Sequence, residues 1–172
     1  MFRRKVKQAT ADMVRTRRLI DLASVKTIGV LFDATKERRY LRAAHLVRHF
    51  KGMAKEVTAI GVVKTVELPH YVDNTLSFHY VTKNKVNWYG IPSLQSAPDF
   101  VNREFDILID LNFDRDISLR YLLECSLAHC KIGLNQGNEE DLYDFMLEGI
   151  SPNDINIFLK ELLFYLELIK TN

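Results

Sequence analysis

Two stretches constrain the fold more than any others: Thr27-Ile-Gly-Val-Leu-Phe-Asp33 and Phe105-Asp-Ile-Leu-Ile-Asp-Leu111. Each is apolar almost throughout and carries an acid at or near its end. A strand with one wet face alternates in polarity, whereas a strand covered on both faces reads as one continuous apolar run, the pattern of a buried parallel sheet. A β-branched run, Glu56 to Val63, follows the first stretch. Between them, residues 36–51 place Tyr40, Ala43, Ala44, Val47 and Phe50 on one helical face, with Thr35 as the expected N-cap and Gly52 as the stop. Strand, helix, strand in that order is a βαβ unit, which implies a right-handed crossover and a parallel pair.

The rest of the chain extends this rhythm with one interruption. Leu76 to Val81 and Val86 to Tyr89 flank Thr82-Lys-Asn-Lys85 and read as a β-hairpin. Ile117 to His129 reads as a helix capped near Asp116, Lys131 to Leu134 as a short strand, and Leu142 to Leu147 as a further strand or a helix. Ser151-Pro-Asn-Asp154 has the form of a helix start, with Ser151 as N-cap, ahead of an apolar face made by Ile155, Phe158, Leu159, Leu162, Leu163, Leu166 and Ile169. Residues 2–22 follow a 3.6 period through Phe2, Val6, Ala9, Met13 and Ile20, with basic residues filling much of the rest. The expected architecture is a three-layer α/β sandwich with a mostly parallel, Rossmann-like sheet. It comprises a basic amphipathic helix over residues 1–25 and a single α/β domain over 26–172, with the hairpin inserted at about 65–98.

A length of 172 residues fits one domain, and 47% hydrophobic with 27% charged residues excludes a disordered chain. No stretch approaches the roughly 20 apolar residues that span a bilayer, and no apolar segment of secretory type follows the charged N-terminus. The two cysteines, Cys125 and Cys130, read as lying in one helix five positions apart, a poor disulfide geometry, so a reducing cytoplasmic setting is expected. Charge is lopsided: residues 1–53 hold 14 Lys/Arg against four acids, and residues 54–172 hold 10 against 18. Either an anionic partner, a nucleic acid or an acidic protein surface, meets the basic third through its N-terminal helix, or the basic and acidic parts face one another within the fold.

The usual chemistries of parallel sheets lack their motifs. The turn after the first strand is Asp33-Ala34-Thr35, without the glycines a dinucleotide needs, and no Gly-Lys-Ser/Thr or Gly-x-Ser-x-Gly occurs. What remains is weaker. Asp33, Thr35, Arg38, Asp110, Asn112 and Asp114 would line a ligand pocket beyond the strand ends if the two acid-bearing strands are neighbours, with oxygens suited to Mg²⁺. Against this, Asp33 and Asp114 can be loop or cap residues, with Asp110 paired to a base. Arg38, Arg42, His45 and His49, spaced 4, 3 and 4, form a basic stripe that could seat phosphates or simply face water. Cys125 and His129 would share a helical face able to offer two ligands to a soft metal, although a small core cysteine explains the same spacing and no second ligand pair exists. Phe78, Tyr80, Trp88 and Tyr89 in the expected hairpin either cover a sheet edge or offer a stacking surface for a partner.

Over nearly its full length the chain resembles an uncharacterised family of small α/β proteins from Bacteroidetes. The likeness is carried by the basic N-terminal segment, Ile28-Gly-Val-Leu-Phe-Asp33, Asn87-Trp-Tyr-Gly-Ile-Pro92, Phe105 to Leu111 and Lys131-Ile-Gly-Leu134. That family implies a fold and no activity. Residues 105–134 are also similar to the N-terminal half of heptosyltransferase-type glycosyltransferases, whose nucleotide-sugar site lies in a second domain that 172 residues do not accommodate. A likeness to response-regulator receiver domains rests on Asp110 alone and lacks the acidic pair after the first strand. Three functional classes stay open: a non-catalytic binding module using the basic third; a small Mg²⁺-assisted enzyme using Asp33 and Asp110 with Arg38 as anion clamp; and a subunit that dimerises through the aromatic hairpin or the N-terminal helix.

Overall fold

The computed structural model describes residues 15–92, 98–135, 137, 141–151 and 154–169. Among these residues six strands form one sheet: β1 (Thr27–Asp33), β2 (Glu56–Val62), β3 (Phe78–Val81), β4 (Ile107–Leu111), β5 (Cys130–Leu134) and β6 (Phe145–Leu147). Their order is β3-β2-β1-β4-β5-β6 and every pairing is parallel. The helices are α1 (Glu37–Gly52), α2 (Pro98–Asn102), α3 (Ile117–Cys125) and α4 (Ile155–Leu168). The chain moves outward from β1 to β3, returns to the other side of β1 as β4, and moves outward again. The direction therefore switches between β1 and β4, which places the two acid-bearing strands side by side, the condition on which the expected pocket depends.

Strand alternation divides the apolar residues into two cores. Ile28, Val30, Phe32, Ile107 and Ile109 face α1 and α4, while Leu31, Ile60, Leu108 and Val81 face α2 and α3. All five expected face residues of α1 are buried, and α4 buries Ile155, Phe158, Leu159, Leu162 and Leu166. Gly133 on β5 leaves room for a ring that reaches the site: a Cβ there would lie 2.5 Å from Cε1 of Tyr143.

Several expectations are corrected. Of the helix expected over residues 2–22, residues 2–14 lie outside the described residues, and residues 15–21 are not helical. Tertiary contacts hold this stretch instead: Arg15 donates to the carbonyls of Ala128 (2.6 Å) and His129 (3.1 Å) and pairs with Asp144, and Arg18 N–H donates to His129 O (3.2 Å). The hairpin is absent. Phe78–Val81 adds to β2 in parallel, because Phe78 and Tyr80 turn inward onto Phe32; the chain then leaves through a 3-10 turn at Lys83–Lys85, with a single antiparallel bridge between Val86 and Pro92. Helix α3 stops at Cys125 rather than His129, since the buried Lys131 amine donates to Leu123 O and Glu124 O and so satisfies carbonyls that further turns would have used. Cys125 and Cys130 therefore do not share a helix; both thiols are free, in cores on opposite faces of the sheet. Thr35 is not the cap of α1: Lys36 holds that position without a side-chain bond. Asp154, accepting from Ile157 N–H, caps α4 in place of Ser151.

Candidate functional site

The carboxyl ends of β1 and β4 form a crevice beneath the first turns of α1. Asp33 closes β1, and its Oδ1 accepts the Thr35 N–H at 2.7 Å, folding the strand end back toward the helix. Its Oδ2 accepts from Arg39, in the first turn of α1, whose other terminal nitrogen pairs with Asp114 in the loop after β4. One guanidinium thus bridges the two strand-end loops. The space left is a cavity of about 50 Å³ lined by Phe32, Asp33, Arg39, Arg42, Leu111, Phe113 and Asp114. That is room for roughly four waters, and far less than a nucleotide or sugar needs.

Asp110 is not among the residues that line this cavity. It is buried on the face of β4 that carries Leu108, where Oδ1 accepts the Asn112 N–H (2.9 Å) and Oδ2 the Tyr143 hydroxyl (2.7 Å). Asn112 latches the loop: its amide donates to Asp116 O (2.9 Å), and its side-chain oxygen accepts the Asp116 N–H (2.7 Å). Asp116 in turn caps α3 through Ser118 and Leu119 N–H, as its position predicts. Between them Arg115 adopts φ +57°, an unfavourable conformation for a side chain of its kind.

The expected pocket residues therefore separate. Asp33 and Asp114 meet across Arg39, Asn112 holds the loop, Thr35 supplies only its backbone N–H, and Asp110 belongs to a different wall. Arg38 is exposed on the outer side of α1, so the clamp assigned to it falls to Arg39. In the basic stripe, Arg38, His45 and His49 are exposed, and the unlooked-for Arg48 joins them; Arg42 is half-buried and lines the cavity. Burial, with Arg38 and Arg39 nearby, lowers the Arg42 pKa from its ordinary value. In the aromatic set, Phe78 and Tyr80 are buried against Phe32 and are corrected to core residues. Trp88 and Tyr89 remain at the surface, with Trp88 94% exposed. The Cys125–His129 pair dissolves with the helix that was to align it: His129 is buried with Nδ1 3.0 Å from Thr16 O, and burial pushes both thiols up to about 11. Among the described residues, no group of three or more His, Cys, Asp or Glu is placed to hold a metal ion, and no helix is long and apolar enough to cross a membrane.

Sequence reasoning missed Arg39 and Tyr143. Arg39 had a signal, because it falls on the first turn of the helix that follows a strand-end Asp, six residues on. Tyr143 had none: its contact with Asp110 crosses from β4 to the segment before β6, over a gap that Gly133 creates. Neither a curated protein nor a solved structure matches the chain. A family model does match, over residues 1–169, and the chain accordingly belongs to a family of unknown function (DUF6913).

Proposed function

We propose that the chain is a non-catalytic cytoplasmic binding module for an anionic partner, which it meets on the basic outer face of α1. The observation that carries this reading is the Arg39 guanidinium set between Asp33 and Asp114. A divalent cation at those carboxylates would have to displace a partly buried cation that already neutralises them, and Asp110 sits in the other wall. The same helix leaves Arg38, His45, Arg48 and His49 exposed to solvent. The fixed positive charges of Arg38 and Arg48 attract phosphates or carboxylates and release counterions on binding. The free thiols of Cys125 and Cys130 accord with a reducing compartment. The stretch that resembles heptosyltransferases is β4-α3-β5, ordinary core of a parallel sheet, and supports the fold rather than sugar transfer.

The test is retention of the full chain on a heparin matrix at about 50 mM and about 200 mM salt. Retention at the lower concentration, lost at the higher and weakened in Arg38→Glu/Arg48→Glu, is expected. No retention at low salt, or equal retention of the variant, refutes the reading. Calorimetric titration with Mg²⁺ is expected to be flat; a saturable heat abolished by Asp33→Asn would favour the metal-assisted enzyme instead.

A further inference from the structure

The turn Asn87–Ile91 is built with more hydrogen bonds than a connection requires. Asn87 Oδ1 accepts the N–H groups of both Tyr89 (2.9 Å) and Ile91 (3.1 Å), Asn87 N–H donates to Ile91 O (2.9 Å), and Gly90 N–H donates to Asn87 O (2.9 Å). Gly90 supplies a φ of +72°, which a residue with a Cβ adopts at a cost, and its carbonyl accepts from Ser118 Oγ on α3. Ile91 is buried and Pro92 bridges back to Val86, so the loop is fixed at both ends. The product of this rigidity is an indole held out in water, 94% exposed, beside the half-exposed ring of Tyr89. The backbone that carries the ring is already ordered, so stacking on it costs only the freedom of the indole's own side-chain torsions.

Charge along the chain at the turn selects the partner. Residues 74–98 carry no acid, and Lys83 and Lys85 on the preceding 3-10 turn are exposed, Lys85 with its amine donating to Tyr80 O (3.2 Å). Asp116, two residues before the Ser118 that holds Gly90, is turned to the first N–H groups of α3 and to Lys64. We infer that Trp88 is a stacking platform for an unpaired base of a single-stranded nucleic acid whose phosphates run along Lys83 and Lys85. Flat aromatic faces beside cations suit single strands, because a duplex keeps its bases stacked and offers no free face. A membrane fits less well: binding to a lipid surface scales with apolar area, and here two rings stand between Asn87 and Gly90. This inference names a partner within the anionic class, but it stands on a surface separate from α1, so each reading can fail alone.

Trp88 is the sole tryptophan of the chain, so its fluorescence reports on this surface directly. Titration of the full protein with a short oligo-dT is expected to quench the emission saturably, with an affinity that falls steeply as salt rises, whereas a duplex of equal length has little effect. By anisotropy of a labelled strand, Trp88→Ala is expected to bind about ten-fold more weakly, and Lys83→Glu/Lys85→Glu also weakly, both with unchanged circular dichroism. The inference is overturned by unchanged emission, by a response to phosphatidylserine vesicles but not to the strand, or by the emission of a buried indole in the free protein, concentration-dependent or not. If strand binding survives Trp88→Ala but not Arg38→Glu/Arg48→Glu, the α1 reading stands and this one falls. If it survives Arg38→Glu/Arg48→Glu but not Trp88→Ala, the Trp88 surface stands on its own, and the α1 reading is decided by heparin retention.

Discussion

Lys131 lies deep in the fold, 4% exposed, with its amine directed at the last carbonyls of α3. Burial lowers its pKa to about 7, Arg15 and Arg17 push the same way, and Cys125 and Glu124 offset part of the shift. In the unfolded chain the same group titrates at about 10.5. Above about pH 7 the folded protein therefore holds a neutral amine where the unfolded chain still holds a proton. The unfolded state binds more protons across that window, so stability rises with pH. The buried thiols act in the opposite sense. Cys125 and Cys130 are raised from 9.0 to about 11, so above about pH 9 the unfolded chain loses protons that the fold keeps, and stability falls.

With 1.36 kcal/mol per unit of differential protonation, the lysine contributes about 2 kcal/mol between pH 7 and pH 9, and the two thiols remove about 1 kcal/mol by the upper end. Stability should thus climb by about 1–2 kcal/mol from neutrality, peak near pH 9 and then decline. Urea unfolding followed by far-ultraviolet circular dichroism under reducing conditions measures this; the fluorescence of Trp88, already exposed, would not. Lys131→Met leaves two helix-end carbonyls without their donor, and its deficit against the wild type should widen as pH rises from neutrality. The diagnostic quantity is its slope, which should be flat or slightly negative over the range where the wild type rises. A flat wild-type profile, or a Lys131→Met profile rising in parallel with it, would show that this amine is not the group responsible.

Other perturbations test the joints of the fold. Arg39→Met strands the buried Asp33 carboxylate and should cost about 3 kcal/mol, with much of the loss recovered in Asp33→Asn/Arg39→Met; a thermal-melt double-mutant cycle showing simple additivity would contradict the pairing. Asp106 joins the starts of β1 and β4 by accepting from Lys26 N–H (2.8 Å), Thr27 N–H (3.0 Å) and Thr27 Oγ1 (3.2 Å). Burial raises its pKa, but these bonds together with Arg18 outweigh that and leave it below the ordinary carboxylate value, so its contribution is present at neutral pH and lost as pH falls through the folded value. Asp106→Asn should therefore cost about 1–3 kcal/mol at neutral pH in urea titrations and less in acid. Gly133→Ala drives a methyl into the Tyr143 ring and should cost about 1–3 kcal/mol, an effect that Tyr143→Ala should largely erase.

The core strands and the faces of α1 and α4 were legible because continuous apolar runs and 3.6-residue spacing are local properties that burial then enforces. The adjacency of β1 and β4 stayed conditional in the sequence, because a parallel sheet can also keep growing in one direction; the return of the chain after β3 supplies it. Legibility ended where a distant partner overrode local preference. Residues 15–21 carry part of a helical pattern, yet Arg15 and Arg18 are drawn to the start of β5. Val86 to Tyr89 has the composition of a strand, but Asn87 accepts two backbone N–H groups and closes a turn instead. In the site, residue type identified the acids but not their neutralisation, because Arg38 and Arg39 look alike in sequence and differ by about 100° around the helix.

That distinction extends to the whole basic third of the chain. Arg15, Arg17 and Arg18 meet Asp144 and Asp106, and Arg39 meets Asp33 and Asp114, so a good part of the charge excess is matched within the fold, mostly by acids from the later part of the chain. A cation held this way serves stability and has little left to offer a partner, whereas an exposed cation on α1 serves the reverse. The two roles separate experimentally. Arg15→Ala removes a half-buried donor to two carbonyls and to Asp144, and should lower the melting temperature while leaving heparin retention of the remaining folded protein unchanged. Arg48→Glu should leave the melting temperature within the scatter of ordinary surface changes and shorten retention. If Arg15→Ala weakens retention as much as Arg48→Glu does, the internal pairs are open in solution, and the partner competes for the charges that hold the fold together.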